Sequence, residues 1–302
     1  MIRSDFLDVL RGAEIRAVAD CDLSALSTFR IGGVCDLAVF PKTREECILV
    51  LDLLREKQIP FCVLGNGSNV LFGDGRLSGV LLVTREMTAW EWKGDMLSAD
   101  CGASLPALSA SAAKEGMTGL EFARGIPGTL GGAMVMNAGA YGGQISDLVV
   151  ESHAYDLRTG ENFSITEHGF GYRESVYLSN PNLFCLGATL RLREGDREEI
   201  EERMREYTKS RKEKQPLEYP SAGSYFKRPA GHFAGKLIED CGLKGLRVGG
   251  AAVSEKHAGF LINLGGATAE DVLRLEEQVR RCVWERFGVF LEREVQFIES
   301  MK

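Results

Sequence analysis

A basic excess is missing from this sequence: 36 Lys and Arg stand against 43 Asp and Glu, a formal net charge of −7. Surplus positive charge is what draws a protein to phosphate backbones and anionic lipid, so neither nucleic acid nor membrane is expected as a partner. Apolar runs of the roughly 20 residues that a membrane helix needs are missing as well. The eight cysteines, at 21, 35, 47, 62, 101, 185, 241 and 282, form no Cys-x-x-Cys pair and take no ligand-like spacing with the four histidines. Neither a structural metal nor a disulfide framework is expected, and most of the cysteines read as buried thiols. Met1-Ile2-Arg3-Ser4-Asp5 leads into a charged amphipathic pattern instead of the apolar core of a secretory signal, so the expected compartment is the reducing cytoplasm. Standard nucleotide fingerprints are lacking too. No Gly-Lys-Ser/Thr ends a P-loop, and no Gly-x-Gly-x-x-Gly lies directly between a strand and a helix.

Glycine, in contrast, is abundant and concentrated. Residues 122–143 carry glycines at 125, 128, 131, 132, 139, 142 and 143, with Pro127 stiffening the turn. Backbone N–H groups left uncovered by side chains can cradle an anion without basic residues, and Arg124 is the one basic residue in this stretch. A surface loop of tight turns is the plainer reading, but Met134-Val135-Met136 argues for a packed segment. A second cradle, Leu64-Gly65-Asn66-Gly67-Ser68-Asn69, follows directly on a short buried strand at 61–64, a usual place for ligand-binding backbone.

Periodicity places helices at 4–14, at 43–58 behind a Thr43 to Glu46 capping box, and at 105–115 behind Ser104. Strands are expected at 77–84, 96–101, 148–156, 162–166 and 184–192, with Arg158-Thr159-Gly160 as a hairpin turn. A charged helix over 196–212 changes the character of the chain and reads as a solvated connector. Beyond it come helices at 233–241 and 268–287, strands at 247–253 and 258–264, and an alternating final strand at 289–298. The expected division is 1–195, with a core of about 30–195, then a smaller unit at 196–288, and a terminal strand, 289–302, returning to the N-terminal lobe.

Thr28-Phe29-Arg30-Ile31-Gly32-Gly33, the 64–69 cradle, Gly125-Ile126-Pro127-Gly128-Thr129-Leu130-Gly131-Gly132 and Asn137-Ala138-Gly139-Ala140-Tyr141-Gly142 come in a specific order. Gly171-Tyr172-Arg173-Glu174-Ser175, Pro220-Ser221-Ala222-Gly223-Ser224-Tyr225-Phe226-Lys227, Val253-Ser254-Glu255-Lys256-His257-Ala258 and Leu291-Glu292-Arg293-Glu294-Val295 continue it. Together, from about 24 to 298, they closely resemble the UDP-N-acetylenolpyruvoylglucosamine reductases. The resemblance implies an α+β fold, with a flavin-binding region of the vanillyl-alcohol-oxidase type followed by a smaller α+β substrate domain. It also implies FAD, held at Leu64, Gly65, Asn66, Gly67, Ser68 and Asn69 and at Gly125, Ile126, Pro127, Gly128, Thr129, Gly131 and Gly132. Asn137, Ala138, Gly139 and Tyr141 would lie along the flavin. Covalent relatives carry a histidine near the position of Ser68; none stands there, so the FAD is expected to dissociate.

The implied reaction has two stages. NADPH gives a hydride to the flavin and leaves; the enolpyruvyl ether of UDP-N-acetylglucosamine then takes that hydride at C3 and a proton at C2. Hydride addition builds charge on the substrate carboxylate, and the resemblance gives Arg173 the task of meeting it with paired charge-assisted hydrogen bonds. Ser224 matches the proton donor. Glu294 matches an assisting carboxylate, which beside an anion would need to be protonated or bridged by water or a cation. Tyr172, Lys214, Arg228 and His257 match positions around the substrate. Arg228 replaces the usual Asn, Gln296 stands where Arg is common, and the short 172–184 connection resembles the variant that lacks a loop over substrate. Taken singly, Tyr172-Arg173 reads as an exposed strand-end pair, Ser224 as a turn residue and Glu294 as a surface charge; the ordered set reverses those readings. A flavin oxidase of the same superfamily and a non-catalytic flavin-binding protein are the alternatives.

Overall fold

A computed structural model describes residues 4–301. The first sheet orders Arg16–Asp22, Val34–Phe40, Arg76–Val83 and Phe61–Leu64; its first pair is antiparallel and the others are parallel. Parallel neighbours need a crossover, and the helix Arg44–Glu56 supplies one. Its Cys47, Val50, Leu51 and Leu54 recur at helical spacing and bury against Leu37, Val39, Val80 and Leu82. Thr43 Oγ1 accepts from Glu46 N at 3.2 Å, but the Glu46 carboxylate accepts from Lys42 N, not Thr43 N, so the expected box is only half formed.

The second sheet is wholly antiparallel, in the order Asn162–Ile165, Val149–Asp156, Leu183–Arg191, Met96–Asp100 and Trp90–Lys93. Helices Leu105–Lys114 and Leu130–Met136 share a core with it that includes Leu97, Leu108, Leu130, Met134 and Leu190. Ser104 occupies the N-cap of the first of these without a side-chain capping bond. A third sheet, Ser221–Ser224, Phe260–Asn263, Ala251–Val253 and Arg247–Val248, is covered by the helices Ala234–Asp240 and Ala269–Phe287. All three sheets mix with helices as an α+β fold requires.

The tail departs from expectation. Only Gln296–Ile298 is a strand, and it runs parallel to Val70–Phe72. Upstream of it, Lys227 N donates to Glu292 O and Glu294 N to Tyr225 O, after which Gln296 N donates to Asn69 O. A segment that changes partners midway cannot keep one continuous ladder, so 289–295 is not a strand and makes only the isolated bridge of Arg293 to Phe226. All eight cysteines are free thiols, four of them buried.

Candidate active site

Strand Phe61–Leu64 ends at the first glycine cradle. Among the described residues, the N–H groups of Gly65, Asn66, Gly67, Ser68 and Asn69 have no protein acceptor. The second glycine stretch lies against it: Asn66 Nδ2 donates to Pro127 O at 3.2 Å, and a Cβ on Gly65 would sit 2.5 Å from Thr129 Oγ1. That approach requires glycine at 65. Gly128 and Thr129 likewise keep N–H groups without a described acceptor. Gly131 and Gly132 differ, because their N–H groups are taken by Cys101 O at 2.7 Å and Thr129 Oγ1 at 3.3 Å. A run of unpaired amides flanked by facing glycines suits a pyrophosphate, so these residues fit a flavin dinucleotide.

Helix Leu130–Met136 ends at Asn137, which takes the left-handed conformation (φ 41°) and is buried. Its Nδ2 donates to Gly171 O at 2.9 Å, and its own carbonyl accepts from Arg173 Nη1 at 3.2 Å. Ala138 packs at the edge of the second core. Gly139 O accepts from Arg173 Nη2 at 3.4 Å. The end of the second cradle thus holds the arginine. Tyr141 turns elsewhere: its ring stacks on Tyr207 with centroids 4.3 Å apart.

Arg173 Nε donates to Glu294 Oε1 at 2.7 Å, with 20% and 13% of the two side chains exposed. Sequence reading left the charge of Glu294 to be met by a proton, water or a cation; Arg173 itself meets it. Glu294 N donates to Tyr225 O at 2.9 Å, which places Ser224 one residue from the pair. The Ser224 side chain is exposed and has no described hydrogen-bond partner. Arg173, Ser224 and Glu294 are therefore gathered from three distant segments.

Of the four substrate-side residues, two are joined. Tyr172, 51% exposed, accepts at its hydroxyl from Arg228 N at 3.1 Å, and both border a groove of about 390 Å³ with Lys227 and Phe290. The Arg228 guanidinium lies over the Phe233 ring, 4.6 Å from its centroid. His257 Nδ1 accepts from Gly259 N at 3.1 Å, which leaves the proton of the neutral ring on Nε2; burial pushes its pKa down. Lys214 is exposed at the end of helix Arg197–Lys214 and touches none of the others through a hydrogen bond or ion pair.

Sequence reading passed over Arg211. It is half-buried, has no acidic or hydrogen-bonding partner among the described residues, and burial lowers its pKa. A Cβ on Gly125 would lie 3.0 Å from its Cδ. Tyr207, four residues earlier and on the same helix face, was the available signal: an aromatic inside a charged run.

A family model described as UDP-N-acetylenolpyruvoylglucosamine reductase, C-terminal domain, matches residues 215–298, and an FAD binding domain model matches 35–166. A UDP-N-acetylenolpyruvoylglucosamine reductase of Caldicellulosiruptor bescii is 45% identical over 97% of this chain and 94% of its own length. One from Clostridium perfringens is 44% identical over 92% of each chain. The crystal structure of the reductase from Thermus caldophilus superposes with a TM-score of 0.79 at 36% identity, covering 94% of this chain and 98% of its own. With cradles, ion pair and serine assembled in one fold, and relatives of this similarity along nearly its whole length, the chain belongs to the UDP-N-acetylenolpyruvoylglucosamine reductase family.

Proposed function

We propose that this chain reduces the enolpyruvyl ether of UDP-N-acetylglucosamine to UDP-N-acetylmuramate with NADPH and FAD, a step of peptidoglycan precursor synthesis. The observation that carries the residue roles is the Arg173 to Glu294 contact of 2.7 Å beside the strand bearing Ser224. When bound, FAD supplies hydride transfer from NADPH to the substrate alkene. The amides of 65–69 and of Gly128 and Thr129 would hold its pyrophosphate, with the 125–127 turn shaping the cradle and Arg211 adding charge beside Gly125. Gly131 and Gly132 serve the packing of that cradle.

Hydride arrival at substrate C3 leaves negative charge spread from C2 into the carboxylate. A guanidinium has five N–H donors. Arg173 uses three, on Glu294, Asn137 O and Gly139 O, and keeps one hydrogen on each Nη for the substrate carboxylate. Glu294 fixes the plane of that guanidinium, and its own charge is balanced there. The Ser224 hydroxyl, without an acceptor among the described residues, delivers the proton to C2. Tyr172, Arg228, His257 Nε2–H and Lys214 are assigned to the sugar and diphosphate. The cytoplasm is the proposed compartment; no described helix is long and apolar enough to cross a membrane. The division at 195 and 288, with the tail closing on the N-terminal lobe, belongs to the same proposal.

Incubation of the FAD-loaded protein with NADPH and the enolpyruvyl sugar nucleotide, read by mass spectrometry, tests the reading. A product heavier by two hydrogens, formed one for one with NADPH oxidised, supports it. NADPH oxidation with the sugar nucleotide recovered unchanged would refute it.

A further inference from the structure

Successive side chains of an extended segment point to opposite sides. Ser224 is exposed, while Tyr225 beside it is 1% exposed. On the facing segment, Glu294 turns to Arg173 and Arg293 turns inward. Both inward residues meet one carboxylate. Tyr225 donates its hydroxyl to Glu276 Oε2 at 2.7 Å, and Arg293 Nε lies 3.6 Å from Glu276 Oε1. Arg280 joins them, with Nη1 2.8 Å from the same oxygen and Nε donating to Leu291 O at 2.8 Å.

Glu276 is out of character for its surroundings. Its side chain is 4% exposed, on a face of helix Ala269–Phe287 otherwise built from Val272, Leu275, Val279 and Val283. A buried ion pair is rarely a net source of stability, and an apolar residue of similar volume would serve a core as well. What the carboxylate adds is a common buried polar anchor for the two segments. Their other direct links lie at the outer end: the backbone bonds Glu294 N to Tyr225 O and Lys227 N to Glu292 O, with the Phe226 to Arg293 bridge between, and the exposed pair of Lys227 Nζ with Glu292 Oε1 at 2.6 Å.

We propose that Glu276 is a positioning residue for proton delivery: through Tyr225 and Arg293 it sets the Ser224 strand against the Glu294 segment. The proposal rests on the roles given above to Ser224 and Glu294. Glu276 touches neither substrate nor cofactor, and its influence passes through the two neighbours. Hydride delivery to the flavin from NADPH does not depend on Ser224, so only the second half-reaction should register the loss of this anchor.

Glu276→Gln preserves shape and can still accept from Tyr225, but it removes the charge that holds Arg293 and Arg280; Tyr225→Phe removes the other arm. In the full-length, FAD-loaded protein, each variant is expected to keep flavin affinity and NADPH bleaching within about twofold of the parent. Recolouring by the enolpyruvyl substrate is expected to slow by about tenfold or more, as small misplacements of reacting groups do, with a larger solvent deuterium effect. The double variant should be little worse than the singles. Recolouring at the parent rate in both variants would overturn the proposal, as would a parallel fall of both half-reactions and flavin affinity, the mark of a merely structural residue. If Glu276→Gln does not fold, Tyr225→Phe decides alone. A parent that bleaches but never recolours would instead strike down the underlying reading.

Discussion

Arg173 sits in the left-handed region at φ 58°, where a residue with a Cβ is strained by about 1–3 kcal/mol. The turn is closed locally by backbone bonds between Gly171 and Glu174, and the three acceptors around the guanidinium hold the residue further in place. Arg173→Lys keeps the charge but replaces a planar fork with one point of attachment. We expect flavin reduction by NADPH to survive and reduction of the enolpyruvyl substrate to fall by about 10²-fold or more, as when a transition-state donor is lost. Single-turnover rates check this, and near-parent turnover would exclude the guanidinium contact. The motif order made Arg173, Ser224 and Glu294 legible as candidates. Their contact was not legible, because Arg173 and Glu294 are 121 residues apart and pairing across such a separation leaves no local period.

Among elements, the two glycine cradles carry the clearest prediction. Gly65→Ala would drive a Cβ to within 2.5 Å of Thr129 Oγ1, forcing the facing stretches apart where seven amides lack an acceptor among the described residues. FAD affinity, titrated by flavin fluorescence, should fall by at least about tenfold, roughly 1.4 kcal/mol. Unchanged affinity would separate the first cradle from the cofactor. Helices Arg44–Glu56 and Ala269–Phe287 were readable because their apolar residues keep strict helical spacing. Strand Arg16–Asp22 was not. It lies at a sheet edge with only part-buried and exposed residues, so no alternation marks it. The tail misled for the opposite reason: 289–298 alternates, yet its partners change along its length. Gly131 shows how composition hides role, since the residue that looks like an anion contact gives its amide to Cys101.

Across the whole molecule, burial pushes the pKa of His153, His168 and His257 below the ordinary histidine value. Once pH drops through about 6.5, the unfolded chain binds protons at these sites that the folded chain does not. Stability is therefore held above that pH and lost as pH falls toward the lower folded values. Asp156, held down to about 2 by Arg158, acts only in a separate window below about pH 4. Calorimetry should find a lower Tm at about pH 5.5 than at pH 7.5. A flat profile between them would contradict the histidine assignment. Closure of the molecule is also open to test. Removing residues 296–302 deletes the strand paired with Val70–Phe72 and leaves the Glu294 segment tethered from one side only, so it should lower Tm and slow the second half-reaction together. A shortened chain with parent Tm and parent recolouring would deny the tail that part.

The central claim is that Arg173, Ser224 and Glu294 form the proton-delivery end of a two-stage reduction. Anaerobic stopped-flow at the flavin band, adding NADPH and then the enolpyruvyl substrate to the parent and to Ser224→Ala, tests it most directly. The account predicts equal bleaching in both proteins and recolouring slowed by about 10²–10⁴-fold in Ser224→Ala alone. Recolouring at the parent rate, or equal slowing of both stages, would contradict it.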